Sequence, residues 1–283
     1  MNERLPTIRT RQDGGVLWAR FDNPPINLVG PQTLISLNKL VDRVEDDDSI
    51  RVVVFESANP EFFLAHWDMT AVGAAIPAAM PSAEKILGRL PGIPKVSIAK
   101  IAGRARGIGS EVALACDLRF ASAERAILSQ LEIIIGALPG SGGTQMLPRL
   151  MGRGRALEAL LGGEDFPAQL AERYGWINRA LPDAELDDFV DRLAHRIASL
   201  PSEAIAAVKA MVDPITLPAP AELAEESERF REALGRPDVA ARIGRLMQQG
   251  MQTSSGLELD FGSAAVELLT PETASAAHNP TDR

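Results

Sequence analysis

Two glutamates stand in stretches where a carboxylate must find a partner or do work. Glu111 follows a glycine-punctuated run, 103–109, and falls in the first turn of a helical segment that opens near Ser110. The apolar run 96–101 reads as a buried strand, so the order is strand, turn, helix start. Such a turn lets backbone N–H groups approach a ligand, and the unpaired amides of a first helical turn favour developing negative charge. An acid/base group beside an anion-stabilising backbone is half of an active site. Glu132 interrupts the apolar run 128–135. Burying it without a partner is costly, so its place is either a surface loop or a functional pocket.

Other chemistries compete for the same residues. Gly103-x-x-x-Gly107-Ile108-Gly109 has the spacing of a dinucleotide-binding loop, but that loop belongs after the first strand of its fold, whereas a long stretch of chain precedes this one. The one tyrosine, Tyr174, is followed by Gly175-Trp176-Ile177-Asn178 and lacks the lysine that a short-chain dehydrogenase needs three residues on. Gly140-Ser141-Gly142-Gly143 lacks the Gly-Lys-Ser/Thr ending of a phosphate loop. Glu111 alone also fits a structural acid that complements the helix dipole, and His66 and Trp67 alone fit simple packing residues.

The remaining composition narrows the class. His66, His195, His278 and the single Cys116 are too scattered for a zinc site, so no metal is expected. A formal net charge of -9 disfavours nucleic acid and anionic membrane as partners. With one cysteine no internal disulfide forms, and neither a signal-peptide core nor an apolar run of roughly 18 residues is present. The expectation is a cytoplasmic protein.

The elements that would position the two glutamates alternate in α/β fashion. Residues 7–11 and 16–21 alternate across Asp13-Gly14-Gly15 and predict a hairpin. The break at Asn23-Pro24-Pro25-Ile26-Asn27 precedes an amphipathic helix over 32–44 and a buried strand over 51–56. The small apolar stretch 71–80 suits a pocket wall or flap. A strand over 117–121 follows the central turn, and from 153 onward helices dominate, with one over 201–211 closed by Pro214. Two further charged helices, 221–234 and 237–249, carry apolar stripes at Leu223, Phe230 and Leu234 and at Ile243, Leu246 and Met247. Those stripes call for a partner surface.

Ala65-His66-Trp67-Asp68, the Gly107-Ile108-Gly109 turn leading to Ala113-Leu114-Ala115-Cys116-Asp117, Gln130-Leu131-Glu132 and Leu138-Pro139-Gly140-Ser141-Gly142-Gly143-Thr144-Gln145 occur in one order and spacing. Together they resemble the enoyl-CoA hydratase/isomerase, or crotonase, superfamily over about residues 5–215. The resemblance implies an α/β, crotonase-like spiral of ββα repeats over 1–200. It also implies a C-terminal helical trimerisation region over 201–269; the polar, proline-containing stretch 270–283 that follows is expected to be a disordered tail. The substrate is then an acyl-CoA thioester, with no cofactor beyond the CoA it carries, and the assembly a homotrimer or dimer of trimers. Carried over position by position, the amides of Trp67 and Ile108 receive the thioester oxygen, and Glu111 and Glu132 are the two carboxylates of a hydratase. Ile26, Ala65, His66, Asp68, Gly107 and Gly109 contact substrate or CoA. Where the family has Ala-Gly-x-Asp and a glycine triplet, this chain has His66 and Ile108.

The expected reaction is hydration of a 2-enoyl-CoA to a 3-hydroxyacyl-CoA. Double-bond isomerisation with Glu132 as sole base, another acyl-CoA lyase or hydrolase chemistry, and non-catalytic acyl-CoA binding are the alternatives.

Overall fold

The computed structural model describes residues 3–71, 81–254 and 256–269. Seven strands form the larger sheet: β1 (Glu3–Arg4), β2 (Ile8–Asp13), β3 (Val16–Phe21), β4 (Val52–Ser57), β6 (Val96–Ile101), β8 (Leu118–Ser122) and β11 (Arg179–Leu181), in the order β1-β2-β3-β4-β6-β8-β11. β2 and β3 make the expected antiparallel hairpin, turned at Gly14 with φ +54°. From β3 to β11 every pairing is parallel. Helices cover both faces there, which is why Val52, Val53, Val54 and Phe55, and all six residues of β6, are buried and read as unbroken apolar runs.

A second sheet is built from β5 (Phe62–Leu64), β7 (Arg104–Arg106), β9 (Ile127–Ser129) and β10 (Phe166–Pro167), in the order β10-β9-β7-β5. Successive turns of chain give one strand to each sheet and then a helix. β4 and β5 lead to α2 (Ala83–Arg89), β6 and β7 to α3 (Ile108–Leu114), and β8 and β9 to α4 (Glu132–Ile135). This is the spiral of ββα repeats. The stretch 103–109, expected as loop alone, contains β7, which pairs in parallel with β5 through Arg104 and Ala105 and with β9 through all three of its residues. Its alternation is too short for a periodicity to register.

Helix α1 (Pro31–Asp46) buries Leu34, Leu37, Leu40, Val41 and Val44 against the main core. Between the repeats and the C-terminal region lie α5 (Gly143–Met151), α6 (Arg153–Gly162) and α7 (Ala168–Tyr174). α8 (Asp183–Ala198) packs Leu186, Val190 and Ala194 on the opposite face of the larger sheet.

The C-terminal helices divide in two. α9 (Ser202–Thr216) runs through Pro214 instead of ending before it, because in the last turn the proline deprives only the Ala210 carbonyl of a donor. It leaves Val208, Met211, Val212 and Ile215 exposed. α10 (Pro220–Leu234), α11 (Pro237–Gln248), α12 (Gly256–Leu259) and α13 (Phe261–Leu269) fold back on the repeats. Here the expectation for the stripes fails. Phe230, Leu234, Ile243, Leu246 and Met247 pack with Leu131, Ile134, Ile135 and Phe261 of the same chain, and Leu223 lies against Gly88. The apolar residues of α4 supply the surface they need. The expected tail, 270–283, and all but Ala71 of the expected flap lie outside the described residues.

Candidate active site

A cavity of about 440 Å³ opens where α10 crosses the ends of the second sheet. His66, Trp67, Ile108, Glu111 and Glu132 all line it. The remaining expected contacts stand behind that wall. Ala65 and Ile26 are buried together with Phe62, and Asp68 accepts hydrogen bonds from Thr70, N–H at 2.9 Å and hydroxyl at 2.6 Å. The two glycines act through space. A β-carbon at Gly109 would lie 2.3 Å from the Leu64 carbonyl, and one at Gly107, where φ is +51°, would lie 2.8 Å from Glu132 Oε1. Gly109 therefore lets α3 sit against β5, and Gly107 leaves room for the Glu132 carboxylate.

Trp67 and Ile108, the two residues whose amides were expected to receive the thioester oxygen, both line this cavity. Val29 donates to the His66 carbonyl at 2.9 Å and accepts from the Asp68 amide at 2.8 Å, forming a parallel bridge. In extended chain the intervening residue points the other way, so the Trp67 N–H is turned from Val29. Ile108 is the first residue of α3, where an N–H has no intrahelical acceptor. Among the described residues neither amide donates to another protein group.

The carboxylates differ in how they are held. Glu111 Oε1 accepts the N–H groups of Ser141 at 2.7 Å and Gly143 at 2.9 Å. Burial raises its pKa to about 7, against the lowering effect of the amides of Gly143, Ser141 and Gly140. Glu132 has far less support: among the described residues its Oε2 has no hydrogen-bond partner. Burial first, then the charge of Glu111, pushes its carboxyl well above the usual range. Glu132 thus meets fewer donors than Glu111 and burial favours its protonated form, which suits an acid beside a base.

Residues that the sequence did not place at this site complete the enclosure. Ser227, Phe230, Arg231 and Leu234 of α10 line the cavity, with Met69, Ser82 and Glu84. Behind it, His66 places Nε2 3.0 Å from Glu258 Oε1 and Nδ1 2.9 Å from the Trp67 carbonyl. Glu258 also accepts the Gln252 amide at 2.6 Å, and Arg106, fully buried, forks onto Asp165 and donates to the Glu258 carbonyl. Burial would raise the Glu258 carboxyl, but the His66 hydrogen bond and charge hold it below its ordinary value. The signal for α10 was present in the sequence. Glu226 lies on the Leu223–Phe230 stripe, three residues from one and four from the other, where a carboxylate is out of place.

The enoyl-CoA hydratase/isomerase family profile matches residues 11–247. The chain belongs to the enoyl-CoA hydratase/isomerase family. Carnitinyl-CoA dehydratase of Proteus mirabilis (strain HI4320) is 34% identical over 202 residues, 69% of this chain and 76% of that protein. Short-chain-enoyl-CoA hydratase of Clostridium acetobutylicum is 28% identical over 245 residues, 83% and 92% of the two chains. The crystal structure of a Streptomyces avermitilis protein, a candidate enoyl-CoA hydratase, superposes with a TM-score of 0.89 at 46% identity, covering 94% of this chain and 98% of that one. The crotonase fold of the family is therefore the fold of this chain. Among the described residues no group of His, Cys, Asp and Glu could hold a metal ion, and no helix is long and apolar enough to cross a membrane.

Proposed function

We propose that this family member hydrates a 2-enoyl-CoA to the 3-hydroxyacyl-CoA. One observation carries the reading: two buried carboxylates held unequally, Glu111 by two backbone amides and Glu132 with an unpartnered Oε2, line the same cavity as Trp67 and Ile108, whose amides have no protein acceptor among the described residues. A thioester oxygen between the Trp67 and Ile108 amides gains about 3 to 4 kcal/mol per donor as enolate charge develops. Glu111, ionised above about pH 7, takes a proton from water as its oxygen bonds to the β-carbon, and the C=C electron pair moves toward the thioester. Glu132, still protonated, delivers its proton to the α-carbon. The sum is one water added and both carboxyls ready to exchange protons for the next turnover.

The substrate is the only CoA-bearing group this chemistry requires; no other cofactor takes part. The expected assembly finds support in the exposed apolar face of α9, which suits a trimer of copies, singly or in pairs. Light scattering giving a monomer mass would refute it. The reaction is tested with a panel of 2-enoyl-CoA and 3-enoyl-CoA thioesters and the variants Glu111→Gln and Glu132→Gln. Hydration lost in both variants supports the two-carboxylate reading. Turnover surviving Glu111→Gln but not Glu132→Gln, with an isomer as product, replaces it with isomerisation. Micromolar binding with no product replaces it with a binding role.

A further inference from the structure

Trp67 turns two backbone groups away from Val29, not one. On extended chain the N–H and C=O of one residue leave by the same edge, so the Trp67 carbonyl accompanies the Trp67 N–H. The negative end of that carbonyl opposes an anion held at the N–H beside it. Two side chains cover it, His66 with Nδ1 at 2.9 Å and Gln252 with Nε2 at 3.3 Å. Both are held by one buried carboxylate. Glu258 Oε1 lies 3.0 Å from His66 Nε2 and accepts the Gln252 N–H at 2.6 Å, keeping Gln252 at a φ of +67° that residues with a β-carbon seldom adopt.

Both ring nitrogens of His66 therefore face acceptors. A carbonyl oxygen only accepts, so Nδ1 donates to Trp67. Against burial, the hydrogen bond and charge of His66 hold the Glu258 carboxyl below its ordinary value, so that oxygen is an ionised acceptor and Nε2 donates to it. An imidazole that donates from both nitrogens carries a positive charge. We propose that His66 is a positioning residue of this site: Glu258 keeps it an imidazolium, and its charge, set on the Trp67 carbonyl, offsets the dipole that would repel an enolate oxygen at the Trp67 N–H. The cation lies nearer the Trp67 backbone than its counter-ion does, because Nδ1 meets Trp67 and Nε2 meets Glu258. A buried charge fixed in this way needs no reorganisation as the enolate forms. The other charged groups around the ring are Arg106 of β7, which donates to the Glu258 carbonyl and to Asp165 at 2.7 Å, and Glu132 of α4. A β-carbon at Gly107 would meet Glu132 Oε1 at 2.8 Å and the His66 β-carbon at 3.6 Å. Asp68 accepts from Thr70 and Gln252, and Phe261 of α13 covers the ring. The inference rests on the Trp67 amide receiving the thioester oxygen in the proposed reaction.

Two measurements test it. The double variant His195→Gln/His278→Gln leaves His66 as the one histidine, and its two-bond ¹H–¹⁵N spectrum without substrate shows whether each ring nitrogen carries a proton. At about pH 8, above the ordinary histidine range, both should. The second measurement is the infrared C=O stretch of bound ¹³C-carbonyl butyryl-CoA, a thioester with no double bond to hydrate. Binding to wild type should lower the stretch, and Glu258→Gln, which keeps an acceptor oxygen without the charge, should return it toward the value in solution. In the same variant kcat on crotonyl-CoA should fall about tenfold with KM little changed. A residue that only held the fold would leave the bound stretch where it was. An unprotonated His66 ring nitrogen at that pH, or a wild-type stretch and kcat in Glu258→Gln, overturns the proposal. Should Glu258→Gln not fold, His66→Asn, which keeps a donor for the Trp67 carbonyl without the charge, is read the same way. A wild type with both protons and the lowered stretch that hydrates nothing defeats the hydratase reading alone.

Discussion

Two acidic clusters lie on either side of the Trp67 backbone, equally buried and oppositely arranged. On the cavity side, Glu111 and Glu132 line the cavity and Glu226 stands behind it on the Thr144 amide; among the described residues no cation pairs with them, and all three carboxyls are pushed up, first by burial. On the far side, Glu258 is buried as completely, yet its carboxyl is held below the ordinary value because His66 and the Gln252 amide meet it and Arg106 stands nearby. The residue type is the same; the counter-charge differs. The first cluster holds protons that can move at neutral pH, and the second ties the C-terminal α12 to the segment that carries the Trp67 amide. Burial alone therefore does not separate an acid that works from one that holds the structure.

The largest break in this comparison comes from emptying the reactive side. Glu111→Gln should lower kcat on a 2-enoyl-CoA by about 10²–10⁴-fold with little change in KM, measured by steady-state kinetics. Breaking the paired side should instead cost stability. Glu258→Ala leaves His66 facing a void and should destabilise by about 3–5 kcal/mol in urea unfolding, the loss typical of one partner removed from a buried pair.

Opposite pH slopes sharpen the contrast. Glu111 binds its proton more tightly folded, about 7 against 4.5, so its contribution to stability is full below pH 4.5 and lost as pH rises through 7. Glu111→Gln should thus be more stable than wild type by about 3 kcal/mol at pH 8 and equal to it at pH 4, as read from melting curves. Glu258, with its carboxyl depressed, contributes above its unfolded value and loses that contribution as pH falls through the folded one. The difference between wild type and Glu258→Ala should accordingly shrink on acidification. The smallest expected effect is on selectivity. Trp67 lines the cavity and packs against the main core, so Trp67→Ala, which keeps the amide, should change the kcat/KM ratio between a short straight and a bulky acyl-CoA by about 1–3 kcal/mol. An unchanged ratio with a lowered melting point would assign the indole to packing alone.

What could be read in the sequence follows the range of the forces involved. The hairpin, α1 and the buried parallel strands show in local periodicity, and the order of the motifs around Trp67, Ile108, Glu111 and Glu132 specified the spiral. β7 escaped because three residues carry no period. The back-folding of α10 and α11 escaped because an apolar stripe does not say which surface it meets; only the three-dimensional placement of Ile134 and Ile135 decides that. Glu226 and Glu258 were visible as carboxylates among apolar neighbours, but their partners lie 82 and 192 residues away, at Thr144 and His66.

The central claim is that the cavity adds water across an enoyl thioester using Glu111 as base. Turnover of crotonyl-CoA in H₂¹⁸O, analysed by mass spectrometry in wild type and Glu111→Gln, tests it most directly. The account predicts a wild-type product with one solvent oxygen on the β-carbon, formed with an acid limb near pH 7, and a variant slowed at least about a hundredfold. A product without solvent oxygen, or a variant as fast as wild type, would contradict it.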